Sequence, residues 1–103
     1  MNAVAMPNVL SGVHLVQVES QAIPGAIEAD DLLRIDFDQR TIRCDGFYAM
    51  RRGAWSGIMR FVRDLSGLQV EEGGKWKLVA GADLAAFEVL GCVRRVYRSA
   101  GVL

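Results

Sequence analysis

Few residues of this chain have side chains that could do chemistry. Ser20, in VESQAIPGAIEADD, is the one serine set in a suggestive context, followed by a proline and an acidic turn. A serine hydroxyl is nearly inert at neutral pH unless a base takes its proton. The single histidine, His14, lies mid-strand with no carboxylate at a suggestive spacing, so it is expected to be structural. The lysines, Lys75 and Lys77, fall on a predicted hairpin tip and its second strand. Glu28, Asp30 and Asp31 form an acidic cluster that is expected to be a solvated turn, because no ligand spacing recurs around it and no metal site follows. Cys44 and Cys92 also lack metal spacing, and both are expected to be free, buried thiols in strands. Trp55 and Trp76 could stack on bases, but each sits beside glycines at a strand end, where core or lid packing is expected. Arg94, Arg95 and Arg98, with Tyr97, form the one basic concentration.

The elements that must position these groups read as strands. VHLVQV (13–18) is apolar and β-branched, and LLRIDF (32–37) alternates, with Leu33, Ile35 and Phe37 on one face and Arg34 and Asp36 on the other. TIRCDGFYAM (41–50) is predicted to be a strand with a bulge at Gly46. RRGAWSG reverses the chain into IMRFVRDL (58–65), where Met59 and Phe61 oppose Ile58 and Arg60. GLQVEEGGKWKLVA (67–80) is the clearest hairpin, since adjacent glycines supply the positive φ of a tight turn. GADLAAF (81–87) is a short helix, and EVLGCVRRVYR (88–98) is a long last strand broken by Gly91. Residues 1–12 have no period and are expected to form a loose arm before one domain, 13–103. The fold class is therefore mostly β, built of short, twisted antiparallel strands.

With 103 residues, 51% of them hydrophobic, one domain with a real core is expected. Twelve basic and twelve acidic side chains cancel, which argues against nucleic acid as the main partner. No apolar run reaches a membrane span, and the start has no basic region of a signal peptide, so a cytoplasmic protein is expected.

Three blocks in order resemble the C-terminal domain of the LexA and phage-repressor family, the self-cleaving relatives of signal peptidases. ESQAIPGAIEADDLLRID is similar to the family's nucleophile segment. DGFYAM with GIMRFVRDLSGLQV is similar to the strand pair that carries its lysine base. VLGCVRRVYRSAG is similar to its closing strand. The resemblance implies a LexA-like β domain over about residues 13–100. It also implies a Ser–Lys dyad, and here the chain departs. Arg60 stands at the base position, or Met59 if the register slips by one, and neither can accept a proton. The family's Ser-Met-x-Pro becomes Ser20-Gln21-Ala22-Ile23-Pro24, one residue longer. The expectation is a pseudo-peptidase with Ser20 and Arg60 as vestigial positions and no cofactor. No helix-turn-helix domain or cleavage segment is expected ahead of residue 13.

The function expected is a non-catalytic interaction or oligomerisation module of phage or prophage origin that binds itself, as a homodimer, or a helix-turn-helix repressor. Its expected interface is the last strand, at Val89, Val93, Arg94, Arg95, Val96, Tyr97 and Arg98. The alternatives are a serine peptidase with an atypical dyad using Ser20, and a small β nucleic-acid binder using the tryptophans and arginines.

Overall fold

A computed structural model describes residues 3–8 and 11–98. It contains strands β1 (Val13–Gln17), β2 (Leu32–Asp36), β3 (Gly46–Arg52), β4 (Trp55–Asp64), β5 (Gly67–Glu72), β6 (Lys75–Leu78) and β7 (Glu88–Tyr97), with one short helix, α1 (Gly81–Ala85). All seven strands belong to one sheet in the order β1-β2-β7-β3-β4-β5-β6, and every pairing is antiparallel. The mostly-β expectation holds.

The hairpin at 67–80 forms as its glycines require. Glu72 faces Lys75 across a two-residue turn in which Gly73 and Gly74 have φ of 58° and 77°, the left-handed pair that suits a twisted hairpin. Three expectations need correction. The strand foreseen from residue 41 begins only at Gly46, because residues 41–45 are tied up by side chains. The Tyr48 hydroxyl donates to the Cys44 carbonyl at 2.7 Å, and the Asp45 carboxylate accepts the Arg63 amide at 2.8 Å. Cys44 is consequently exposed in a loop, while Cys92 is buried in β7. The bulge foreseen at Gly46 is absent from the β3–β4 ladder. Irregularities lie instead where β7 meets β2, between Arg34 and Ile35, and where β7 meets β3, between Ala49 and Met50.

The third correction concerns β7 itself. It is not an edge. Its first half pairs with β3, from Glu88 to Cys92, and its second half with β2, from Cys92 to Tyr97. Gly91 does not break it, since the strand runs through. A Cβ on Gly91 would stand 2.7 Å from the Asp36 carbonyl oxygen and 3.1 Å from the Phe37 Cα. Only glycine lets the end of β2 come this close.

Each face of the sheet carries a core. On one face Val16, Leu33, Ile35, Ala49, Ile58 and Leu90 are covered by the 18–31 loop through Val18, Ile23 and Ile27. The N-terminal residues, expected to be loose, contribute as well. Val4 is buried, its amide donates to the Ser56 carbonyl at 2.9 Å, and the Ser56 hydroxyl donates back to the Val4 carbonyl at 2.8 Å. On the other face Tyr48, Met50, Phe61, Leu68, Val70 and Cys92 are covered by Leu84 and Phe87 of the α1 region. Among the described residues no helix is long and apolar enough to cross a membrane.

Candidate functional site

Ser20 lies on the loop that covers the first core. The loop is closed at its base by Val18, whose amide donates to the Asp31 carbonyl at 2.9 Å and whose carbonyl accepts the Asp30 amide at 2.7 Å. Its tip is a turn in which Ile23 bridges Ile27. Of the acidic cluster expected to be solvated, Asp30 is exposed, but Glu28 and Asp31 clamp this loop. One Glu28 carboxylate oxygen accepts the Gln21 side-chain amide and the other the Gly25 backbone amide, each at 2.6 Å. These two bonds, the Gln21 one foremost, hold the Glu28 carboxyl below its ordinary pKa. Asp31 is 1% exposed and accepts the Glu28 amide at 2.8 Å and the Arg98 guanidinium at 3.2 Å. Arg98 also donates to the Ala26 carbonyl at 3.2 Å. The correction has a simple cause: a carboxylate can be buried once a cation and backbone donors satisfy it.

Ser20 itself is exposed. The segment just after it, Ala22–Pro24, forms one wall of an open groove of about 580 Å³, whose opposite wall includes Arg60, Glu71 and the Gly73–Gly74 turn. The fold thus brings Arg60 to a groove walled by the segment that follows Ser20, while Ser20 itself does not line it. The fold also separates Arg60 from Met59. Arg60 shares its face with Ile58 and the covering loop, whereas Met59 packs against the second core. The Arg60 guanidinium is held by the Glu71 carboxylate at 3.3 Å and lies 5.5 Å from the ring centres of both Phe47 and Trp76. A cation so placed is a fixed structural charge and accepts no proton.

Of the other possible bases, His14 is engaged, and Lys75 directly follows the Gly73–Gly74 turn that lines the same groove. The His14 ring donates from Nε2 to the Ser11 carbonyl at 2.7 Å and tilts against Phe37 with centroids 5.8 Å apart, the structural role expected of it. Lys75 and Lys77 lie on β6, at the opposite edge of the sheet from β1, the strand that leads to Ser20. Trp55 packs edge-on to Phe87 at 6.2 Å, as the core reading foresaw, while Trp76 is 44% exposed beneath Arg60. Beside Phe87, a cleft of about 230 Å³ opens between α1 and the sheet, floored by Met59, Phe61 and Val70 and rimmed by Arg52, Glu72, Lys77 and Asp83. Its charges balance, and its floor is the second core.

The interface expected on β7 is only half accessible. Val93 and Val96 pack against the first core and Val89 against the second, so they hold the domain together. Arg98 is committed to Asp31, and Arg94 to Asp36 at 3.5 Å. Arg95 and Tyr97 point outward, with the guanidinium 5.4 Å from the Tyr97 ring centre. They belong to a wider uncovered face. Strand pairing sets three rows across β1, β2 and β7: Val13–Asp36–Cys92, Leu15–Arg34–Arg95 and Gln17–Leu32–Tyr97. Leu15 is 62% exposed, Val13 50%, Tyr97 40% and Leu32 37%. The layer over the second core stops at Cys92 and leaves this corner bare.

Sequence reasoning missed Val13, Leu15, Leu32 and Arg34. The alternation of β2 does place Arg34 on a polar face, but β1 reads only as a short apolar run with no exposed side marked. Comparison with family models, curated proteins and solved structures finds no match to this chain.

Proposed function

We propose that the protein is a non-catalytic protein-interaction module, a degenerate relative of the LexA and phage-repressor C-terminal domain that has exchanged self-cleavage for binding. The observation that carries this reading is the uncovered corner at β1. The two sheet edges are treated differently. β6, Lys-Trp-Lys-Leu, carries two lysines, a common guard against unwanted strand pairing. β1, Val-His-Leu-Val-Gln, carries no lysine, arginine, acid or proline and turns Val13 and Leu15 outward. An unguarded apolar edge persists where a partner covers it. The dyad position supports the same reading, since Arg60 is locked by Glu71, Phe47 and Trp76 and offers Ser20 no base.

The fitting partner is a second copy or a helix-turn-helix repressor of the same phage or prophage. The test is sedimentation of the wild type and Leu15→Asp over a concentration series, alone and with a repressor encoded beside it. Leu15 is exposed, so the variant folds. Wild type should associate and Leu15→Asp should remain monomeric and unbound. A wild type that is monomeric at high concentration and ignores the repressor overturns the reading.

A further inference from the structure

We infer that the uncovered face recognises an acidic protein segment, one that lays carboxylates beside apolar side chains. The inference rests on the interaction reading above and names its partner's chemistry. Its starting point is the middle row. Arg34 and Arg95 are direct cross-strand partners on β2 and β7, and both are exposed. Like charges placed opposite each other destabilise a sheet. Four other arginines have a carboxylate partner, Arg51 with Glu88, Arg60 with Glu71, Arg94 with Asp36 and Arg98 with Asp31, while Arg52 lies over the Phe87 ring and Arg63 reaches the Ile42 carbonyl. Among the described residues no carboxylate lies within ion-pair distance of Arg34 or Arg95. The fold therefore retains two facing guanidiniums at a cost, in the middle of a bare apolar face. Like charges kept face to face beside exposed apolar side chains point to function.

The surroundings select the partner. Leu15 flanks the arginines in their own row, Leu32 and Tyr97 lie in the row on one side, and Val13 lies on the other. A nucleic-acid backbone has no use for exposed aliphatic side chains, and the chain's net charge of zero gives phosphate no long-range attraction. Of the two partners above, a second copy docked face to face would bring four unanswered guanidiniums together, which leaves a different protein as the occupant of this face. A segment alternating apolar and carboxylate residues satisfies both: fork-shaped guanidiniums bind carboxylates bidentately, and the aliphatics bury against Leu15 and Leu32.

The test follows the Arg34 and Arg95 Nε–H signals by NMR during titration with a synthetic peptide alternating leucine and glutamate. A leucine–glutamine peptide and a short DNA duplex serve as rivals. The acidic peptide should shift both arginines and should bind about tenfold or more tightly than the neutral peptide, the margin of one charged hydrogen bond. Arg34→Gln should lose about the same factor. Arg34→Glu should abolish binding yet raise the thermal midpoint of the free protein, because Arg95 then gains a cross-strand partner. A purely structural arginine would give the opposite stability change. Equal binding of the two peptides, no arginine shift, or preference for DNA overturns the inference. If Leu15→Asp abolishes association but Arg34→Gln leaves it intact, the interaction reading stands and the acidic partner is wrong. Association of the wild type with itself that Arg34→Gln strengthens also overturns it, by making the second copy the occupant.

Discussion

Gly91 is the residue on which the two halves of the sheet depend. An added methyl would overlap the Asp36 carbonyl oxygen at 2.7 Å and press on the neighbouring Phe37 Cα at 3.1 Å. Backbone yields less readily than a side-chain tip, so Gly91→Ala should cost roughly 1–3 kcal/mol of stability, read from urea unfolding. A variant as stable as wild type would mean that the end of β2 slides freely. The two cysteines give a second residue-scale contrast. Cys92 is buried in β7, and burial pushes its thiol pKa up, away from the reactive thiolate. Cys44 is exposed in its loop. A maleimide should label Cys44 in the native protein and reach Cys92 only after denaturation, giving one adduct and then two by mass. Two adducts at once in native buffer would contradict the packing of the second core.

At the scale of elements, the 18–31 loop is held by charge and hydrogen bonding as much as by its apolar residues. Glu28 binds Gln21 and Gly25 as a carboxylate, and its pKa is lowered in the folded state. A lowered folded pKa means that the contribution is fully present above the ordinary carboxylate value of about 4.3 and is lost as pH falls through the folded value. The Glu28 carboxyl should therefore titrate below the ordinary value by carbon-detected NMR. The Gly25 amide, protected from exchange near neutrality, should open at acid pH before the sheet does. Glu28→Gln should remove that pH dependence. An unshifted Glu28, or a Gly25 amide whose protection relative to its intrinsic exchange rate is the same at both pH values, would dissolve the clamp. This loop also marks the limit of what the sequence discloses. The hairpin at Gly73–Gly74 and the short helix are written in adjacent residues, and so they are legible. The burial of Asp31 depends on Arg98, 67 positions away. The place of β7 inside the sheet depends on two different strands that pair with its two halves. Local pattern sees the length and apolarity of such a strand but not its neighbours. That is why Val93 and Val96 read as interface while Leu15 did not. The shared groove of Ala22–Pro24 and Arg60 was not legible, since nothing local links residues so far apart.

For the whole molecule, the two cores lie on opposite faces of one sheet and share no covering layer. They are coupled through the strands between them. β3 gives Ala49 to one core and Tyr48 and Met50 to the other, and β7 gives Leu90 to the first and Cys92 to the second. Neither core can be lost without exposing the other face of the same strands. The molecule should therefore unfold as one unit. Trp55 packs on the second core and reports it by fluorescence, in a Trp76→Phe background that removes the exposed indole. The Ile27 methyls report the first core by NMR. Their urea transitions should coincide in wild type. In Gly91→Ala both should move to lower urea together, because the clash lies at the join of β2 and β7. A Gly91→Ala protein in which the Ile27 signal is lost while the Trp55 transition stays put would show that the first core melts alone. β7 would then be a hinge between two separable half-sheets.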